Sequence, residues 1–221
     1  MRQWWVRAWG LRAWKPKRVA QTLRDFARAE ECSRIDLQAA ANRCTDPARA
    51  ALYLQHARDE ARHTRMLARQ AQQRDAERGI PSSPWIQADC DGLFEQLGER
   101  QFLAFVHHGE RRAAADFTTH QTTLQRTDSR TASVFAALLP DETRHAAYTL
   151  QLLQEQAGPL QAQRDVARAI RWERWRSLQR TGRQLARGLW TVSLWGLLPV
   201  LWLVGQWLKR QAPNPTGWQT G

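Results

Sequence analysis

Between residues 17 and 157 the chain shows no period-2 alternation of apolar and polar residues, and Ala, Leu, Arg, Gln and Glu dominate. These are strong helix formers, so the stretch is predicted to be helical throughout. Stop signals cut it into four. The first helix covers about 18–43 and ends before Thr45-Asp46-Pro47; Asp46 then caps a second, with Pro47 at its first position, that runs to about 77. A connection holding Gly79, Pro81, Ser82, Ser83 and Pro84 follows. The third helix covers about 91–127, with Gly98 and Gly109 as weak points, and the fourth about 128–156, across Pro140, stopping at Gly158-Pro159. Long helices with short outer connections and a longer middle one predict a four-helix bundle of two antiparallel hairpins.

Charge and tryptophan divide the chain differently. Of the net +12, residues 1–20 carry +6 and residues 160–221 carry +8, which leaves −2 for the middle. Eleven of the 12 tryptophans also lie outside the middle, which holds only Trp85. A basic chain invites a nucleic-acid reading, but basic ends rich in Trp around an apolar run fit a lipid surface better. No nucleic-acid partner is therefore expected, and membrane lipid is. The apolar run is 189–208, uncharged and 20 residues long, about what a bilayer-spanning helix needs. A buried core helix or a re-entrant hairpin is the alternative. Arginines at 164, 168, 171, 174, 176, 180, 183 and 187 precede the run, and only Lys209 and Arg210 follow it. The positive-inside rule then predicts a single-pass protein with its bundle in the cytoplasm.

The expected order is a Trp-rich interfacial segment at 1–17, the bundle at 18–157, an Arg-rich juxtamembrane helix at 158–188, the transmembrane helix at 189–208 and a short tail at 209–221. Three cysteines (Cys32, Cys44 and Cys90) without a CxxC pair argue against a disulfide scaffold or a thiolate zinc site.

The second and fourth helices each hold Asp-Glu-x-Arg-His, at 59–63 and 141–145. Positions i and i+3 share a helix face, so Glu60 with His63, and Glu142 with His145, can each reach one metal. Both pairs lie on apolar stripes: Leu52, Tyr53, His56 and Leu67 in the second helix, Phe135, Leu138, Leu139 and Leu152 in the fourth. A carboxylate on such a stripe is costly unless paired or metal-bound. A di-metal site also needs one Glu from each remaining helix. Glu30 shares its face with Leu23, Phe26, Leu37 and Ala41, whereas Glu31 shares its face with Arg28, Arg34 and Gln38 as well as Ala27 and Ile35. Glu30 is thus preferred, with Glu31 the alternative. Glu110 lies on the face of Leu103, Val106, Ala113, Ala114 and Phe117. His56 stands four residues before Glu60; a core or supporting histidine is preferred, with a further metal ligand the alternative. His107 is a weaker supporting candidate, and His108 and His120 read as solvent-facing.

The order Glu30, Glu60-x-x-His63, Glu110, Glu142-x-x-His145 resembles the ferritin-like di-iron carboxylate superfamily over residues 18–157. The resemblance implies two iron ions, with manganese the other metal suited to such ligands. It implies that Glu30, His63, Glu110 and His145 bind terminally and that Glu60 and Glu142 bridge. His-x-x-x-Glu-x-x-His is similar to the third-histidine pattern of some arylamine oxygenases of that superfamily.

The superfamily does not fix a reaction. The absence of CxxC pairs excludes a rubrerythrin with its own electron-transfer domain. With an anchor at the bilayer, the resemblance implies an oxidase or monooxygenase using dioxygen on a quinone-like, isoprenoid or acyl substrate, with an unidentified electron donor. The alternative is iron or peroxide handling at the membrane. Assembly as a homodimer is compatible with either reading.

Overall fold

The computed structural model describes residues 16–81, 86, 90 and 92–211, except for the side chains at 16–18, 180, 181, 183–198, 200 and 208–211. Most of the expected interfacial segment and nearly all of the tail lie outside the described residues. Among those residues five helices follow one another: α1 (Pro16–Arg43), α2 (Pro47–Ala76), α3 (Leu93–Leu124), α4 (Ser129–Ala157) and α5 (Pro159–Gln211).

Local chemistry sets the helix ends. Asp46 Oδ1 accepts from the backbone N–H of Ala48 at 2.9 Å and of Arg49 at 3.2 Å, and Pro47 costs the first turn nothing because its missing N–H would be unused there. Asp128 caps α4 in the same way through the N–H of Thr131, at 3.0 Å. Gly158, with φ 76°, separates α4 from α5.

The chain falls into two units, residues 1–170 and 171–221. In the first, α1 packs along α2 and α3 along α4, while narrower seams join α2 to α4 and α1 to α3. Val19, Leu23, Ala27, Leu67, Phe117, Phe135 and Leu138 form an apolar cluster fed by α1, α2, α3 and α4. Phe26 packs edge-on against Phe117 and Phe135, with ring centroids 5.2 and 5.8 Å away. His120, expected to face solvent, instead lies against Phe26 and Phe135 at 5.3 and 5.1 Å, and burial pulls its imidazole down to about 4. The start of α5 is tied to α3 by the fully buried Asp165, which meets Arg100 Nε at 3.1 Å and accepts from Gln101 Nε2 at 2.8 Å.

The all-helical class holds, but the C-terminal reading does not. Among the described residues no helix is long and apolar enough to cross a membrane. This overturns the transmembrane helix expected at 189–208, and with it the single-pass placement and cytoplasmic bundle. Residues 158–188 and 189–208 are not two elements either, since α5 runs through both. Tryptophans at 190, 195, 202 and 207, together with Thr191, Ser193, Pro199 and Gln206, thin out the aliphatic residues of the run. Trp favours the headgroup zone over hydrocarbon.

One break within the bundle has a testable cost. Gly98 interrupts α3 with φ 70° and ψ 161°, a region essentially reserved for glycine. Nothing lies within 4 Å of where a Cβ would stand, so the backbone alone sets the penalty. Gly98→Ala should lower stability by about 1–3 kcal/mol in urea titration, with metal content retained. An unchanged midpoint would mean that the backbone straightens at Gly98 without loss.

Candidate metal centre

The amphipathic faces of α1, α2, α3 and α4 carry their carboxylates and imidazoles inward. Glu30, Glu60, His63, Glu110, Glu142 and His145 are all buried, with Glu60, His63 and Glu142 at 0% exposure. His56, Glu60, Glu110 and His145 offer ligand atoms that all lie within 4.8 Å of one another, and so do Glu30, Glu60 and His63. Glu60 belongs to both groups. Glu142 approaches through His63, whose Nδ1 lies 3.1 Å from Glu142 Oε1. Glu31 is in neither group and forms a two-pronged pair with Arg34 at 2.7 and 2.9 Å.

Hydrogen bonding leaves this cluster incomplete. Glu60 Oε2, both carboxylate oxygens of Glu142, and Nδ1 of His63 and His145 are buried without a hydrogen-bond partner. Each such atom costs roughly 1–3 kcal/mol, more where charged. These atoms come from the same residues that group as metal donors, so a bound cation would satisfy them together. Carboxylate oxygen and imidazole nitrogen are donors suited to iron, manganese or zinc.

The other imidazole nitrogens are held from outside. His145 Nε2 on α4 lies 3.3 Å from Asp59 on α2, and His63 Nε2 on α2 lies 3.3 Å from Asp141 on α4. Arg144 donates to Asp59 at 2.7 Å and also pairs with Asp141, while Arg62 pairs with Asp141. Each Asp-Glu-x-Arg-His segment thus supplies the carboxylate that orients the histidine of the other. Such contacts fix ring orientation and leave Nδ1 facing the interior carboxylates. Sequence reasoning missed the roles of Asp59, Arg62, Asp141 and Arg144, although their repetition was the available signal.

Electrostatics fit a charge-dense interior. Burial, and then Glu60, hold the Glu30 carboxyl well above its usual range. Burial alone would raise Glu60 as well, but the neighbouring Glu30 carboxyl and the His145, His56 and His63 imidazoles hold it well below its usual range. Burial pushes Glu142 up to about 8 against the pull of His63. Burial opposes charge on His63 too, yet Glu142, Glu30 and Glu60 lift it to about 11. Divalent cations would displace these protons, because metal ligands bind deprotonated.

His56 is part of the cluster. Its Nε2 lies 2.7 Å from Glu60 Oε1 and 3.5 Å from Glu110, its Nδ1 meets the Tyr148 hydroxyl at 2.7 Å, and its ring stacks on His145 at 3.6 Å. Burial lowers its basicity, but Glu110 and Glu60 raise it to about 9. His107 points elsewhere, its Nδ1 donating to the Ala146 carbonyl at 2.8 Å. A cavity of about 60 Å³ reaches His56 and His145 between α2 and α4, lined also by Leu52, Gln55, Asp59, Arg144 and Tyr148.

Compared with protein-family models, with curated proteins and with solved structures, the chain matches none. What stands is an all-helical protein with buried His/Glu groups that could bind a metal, in an arrangement compatible with a di-iron site.

Proposed function

We propose that this chain is a di-iron oxidoreductase of the ferritin-like type, which reduces dioxygen and oxidises or hydroxylates an organic substrate. The observation that carries the reading is the convergence of unpartnered Glu60, His63, Glu142 and His145 atoms on one buried interior, with each histidine held by an aspartate of the opposite helix. Such a centre, when loaded, supplies the electrons and open coordination positions that dioxygen chemistry requires.

The protein's own contribution is positional. Glu30, Glu60, Glu110 and Glu142 furnish the negative charge, and Asp59 and Asp141 keep His145 and His63 turned inward. The apolar cluster of Leu67, Phe117, Phe135 and Leu138 helps exclude water. His56 and Tyr148 form a hydrogen-bonded line from the cavity to Glu60. The lipophilic nature expected of the substrate rested on the transmembrane helix and is withdrawn with it.

The size of the cavity favours a second reading, iron or peroxide handling. A space of about 60 Å³ holds roughly four waters at ~15 Å³ each, which suits dioxygen or hydrogen peroxide. Protein reconstituted with ferrous iron under anaerobic conditions should hold about two irons per chain, as a six-ligand site implies, and should consume dioxygen on exposure to air. A metal content near zero would overturn both readings. Two irons with rapid turnover of peroxide and none of dioxygen would select the second.

A further inference from the structure

Cys32 and Cys90 lie far apart in sequence and together in space. Their sulfurs are 3.0 Å apart across 58 residues, with the Cys90 thiol donating to Cys32. A disulfide needs a separation of about 2.05 Å, so a shift of roughly 1 Å would join them. One turn along α1 from Cys32, the buried Asp36 accepts the Leu93 N–H at 3.0 Å. Residues 32 and 36 are i and i+4 on α1 and share a face. They meet residues 90 and 93, so the sulfur contact sits in a register already fixed by a neighbouring hydrogen bond. Both cysteines are half-buried and within reach of a small oxidant, and Arg34 places a cation in electrostatic range of Cys90.

We propose that Cys32 and Cys90 form a redox-active dithiol that closes to an intramolecular disulfide when the protein meets hydrogen peroxide. One thiolate attacks a peroxide oxygen, the O–O bond breaks, and a sulfenic acid forms with release of hydroxide. The second sulfur then attacks the sulfenic sulfur, the S–S bond forms and the oxygen leaves as water. In total two thiols lose two electrons and two protons to one peroxide, which becomes two waters. The product would fasten residue 90, on the connection between α2 and α3, to the turn of α1 that follows Glu30. Cys44 is an internal control: its sulfur lies 3.5 Å from the Asp46 carbonyl and 3.6 Å from Glu99.

The test treats the full chain, as purified, with one equivalent of hydrogen peroxide. Intact mass should fall by about 2 Da, the two hydrogens lost in closing a disulfide. Thiols titrated after denaturation should drop from three to one. Peptide mapping should find residue 32 linked to residue 90, and dithiothreitol should restore all thiols. Cys44→Ser should behave as wild type in losing two thiols. Cys90→Ser and Cys32→Ser should instead gain oxygen on the remaining sulfur or form linked dimers. Retention of all three thiols in the wild type, or a link that involves Cys44, would overturn the proposal. None of these readouts depends on metal loading, so they separate this inference from the di-iron reading.

Discussion

Glu60→Ala should empty the centre of both metal ions, taking the iron content from about two per chain to near zero. Both donor groups draw on this one residue, His56–Glu60–Glu110–His145 on one side and Glu30–Glu60–His63 on the other. Glu30→Ala removes a donor from the second group only and should leave about one iron. Elemental analysis of desalted protein reads the difference, and circular dichroism shows whether the bundle has kept its helices. If Glu60→Ala retains a full ion while Glu30→Ala retains one as well, the carboxylate is not shared and the two groups are independent.

Asp59→Asn and Asp141→Asn should each weaken metal binding by roughly 10–100-fold, the usual effect of losing a carboxylate behind a ligand histidine. The position of the loss is the more discriminating result. Asp59 lies on α2 but holds His145 of α4, so its removal should loosen the ion bound with Glu110. Asp141 lies on α4 but holds His63 of α2, so its removal should loosen the ion bound with Glu30. Stepwise titration with ferrous iron separates the two sites. Loss of the ion nearest each aspartate's own helix partner in sequence would show that the crossed contacts do not persist once metal is bound.

Much of this arrangement was legible before any coordinates, for reasons specific to helices. A carboxylate on an apolar stripe stands out because burial makes it costly, and the i, i+3 rule tells which neighbours share its face. Caps such as Asp46-Pro47 are chemically explicit. The repeated Asp-Glu-x-Arg-His marks the aspartates, but the crossing of their contacts was not legible, because periodicity describes one helix at a time and gives no account of which atom of a neighbouring helix faces a given side chain. The same limit hid the nearness of Cys32 to Cys90 across the 58 residues between them. His120 was misjudged because its side chain can lie along Phe26 and Phe135 at a position that a helical wheel assigns to the surface. Length and lack of charge alone do not make a membrane span of 189–208, because its tryptophans and polar residues dilute the aliphatic ones.

The crossed aspartate–histidine contacts lie at the junction of the two hairpins, where α2 meets α4 along a seam much narrower than those inside either hairpin. Glu30, Glu60 and His63 all belong to α1 and α2, but the other donor group takes His56 and Glu60 from α2, Glu110 from α3 and His145 from α4, and so spans both hairpins. A cation bound there would therefore act as a rivet, adding to the apolar core that already joins the two hairpins. Any metal that binds the assembled form alone shifts the folding balance by mass action, so a metal-loaded chain should resist unfolding better than the same chain stripped by a chelator.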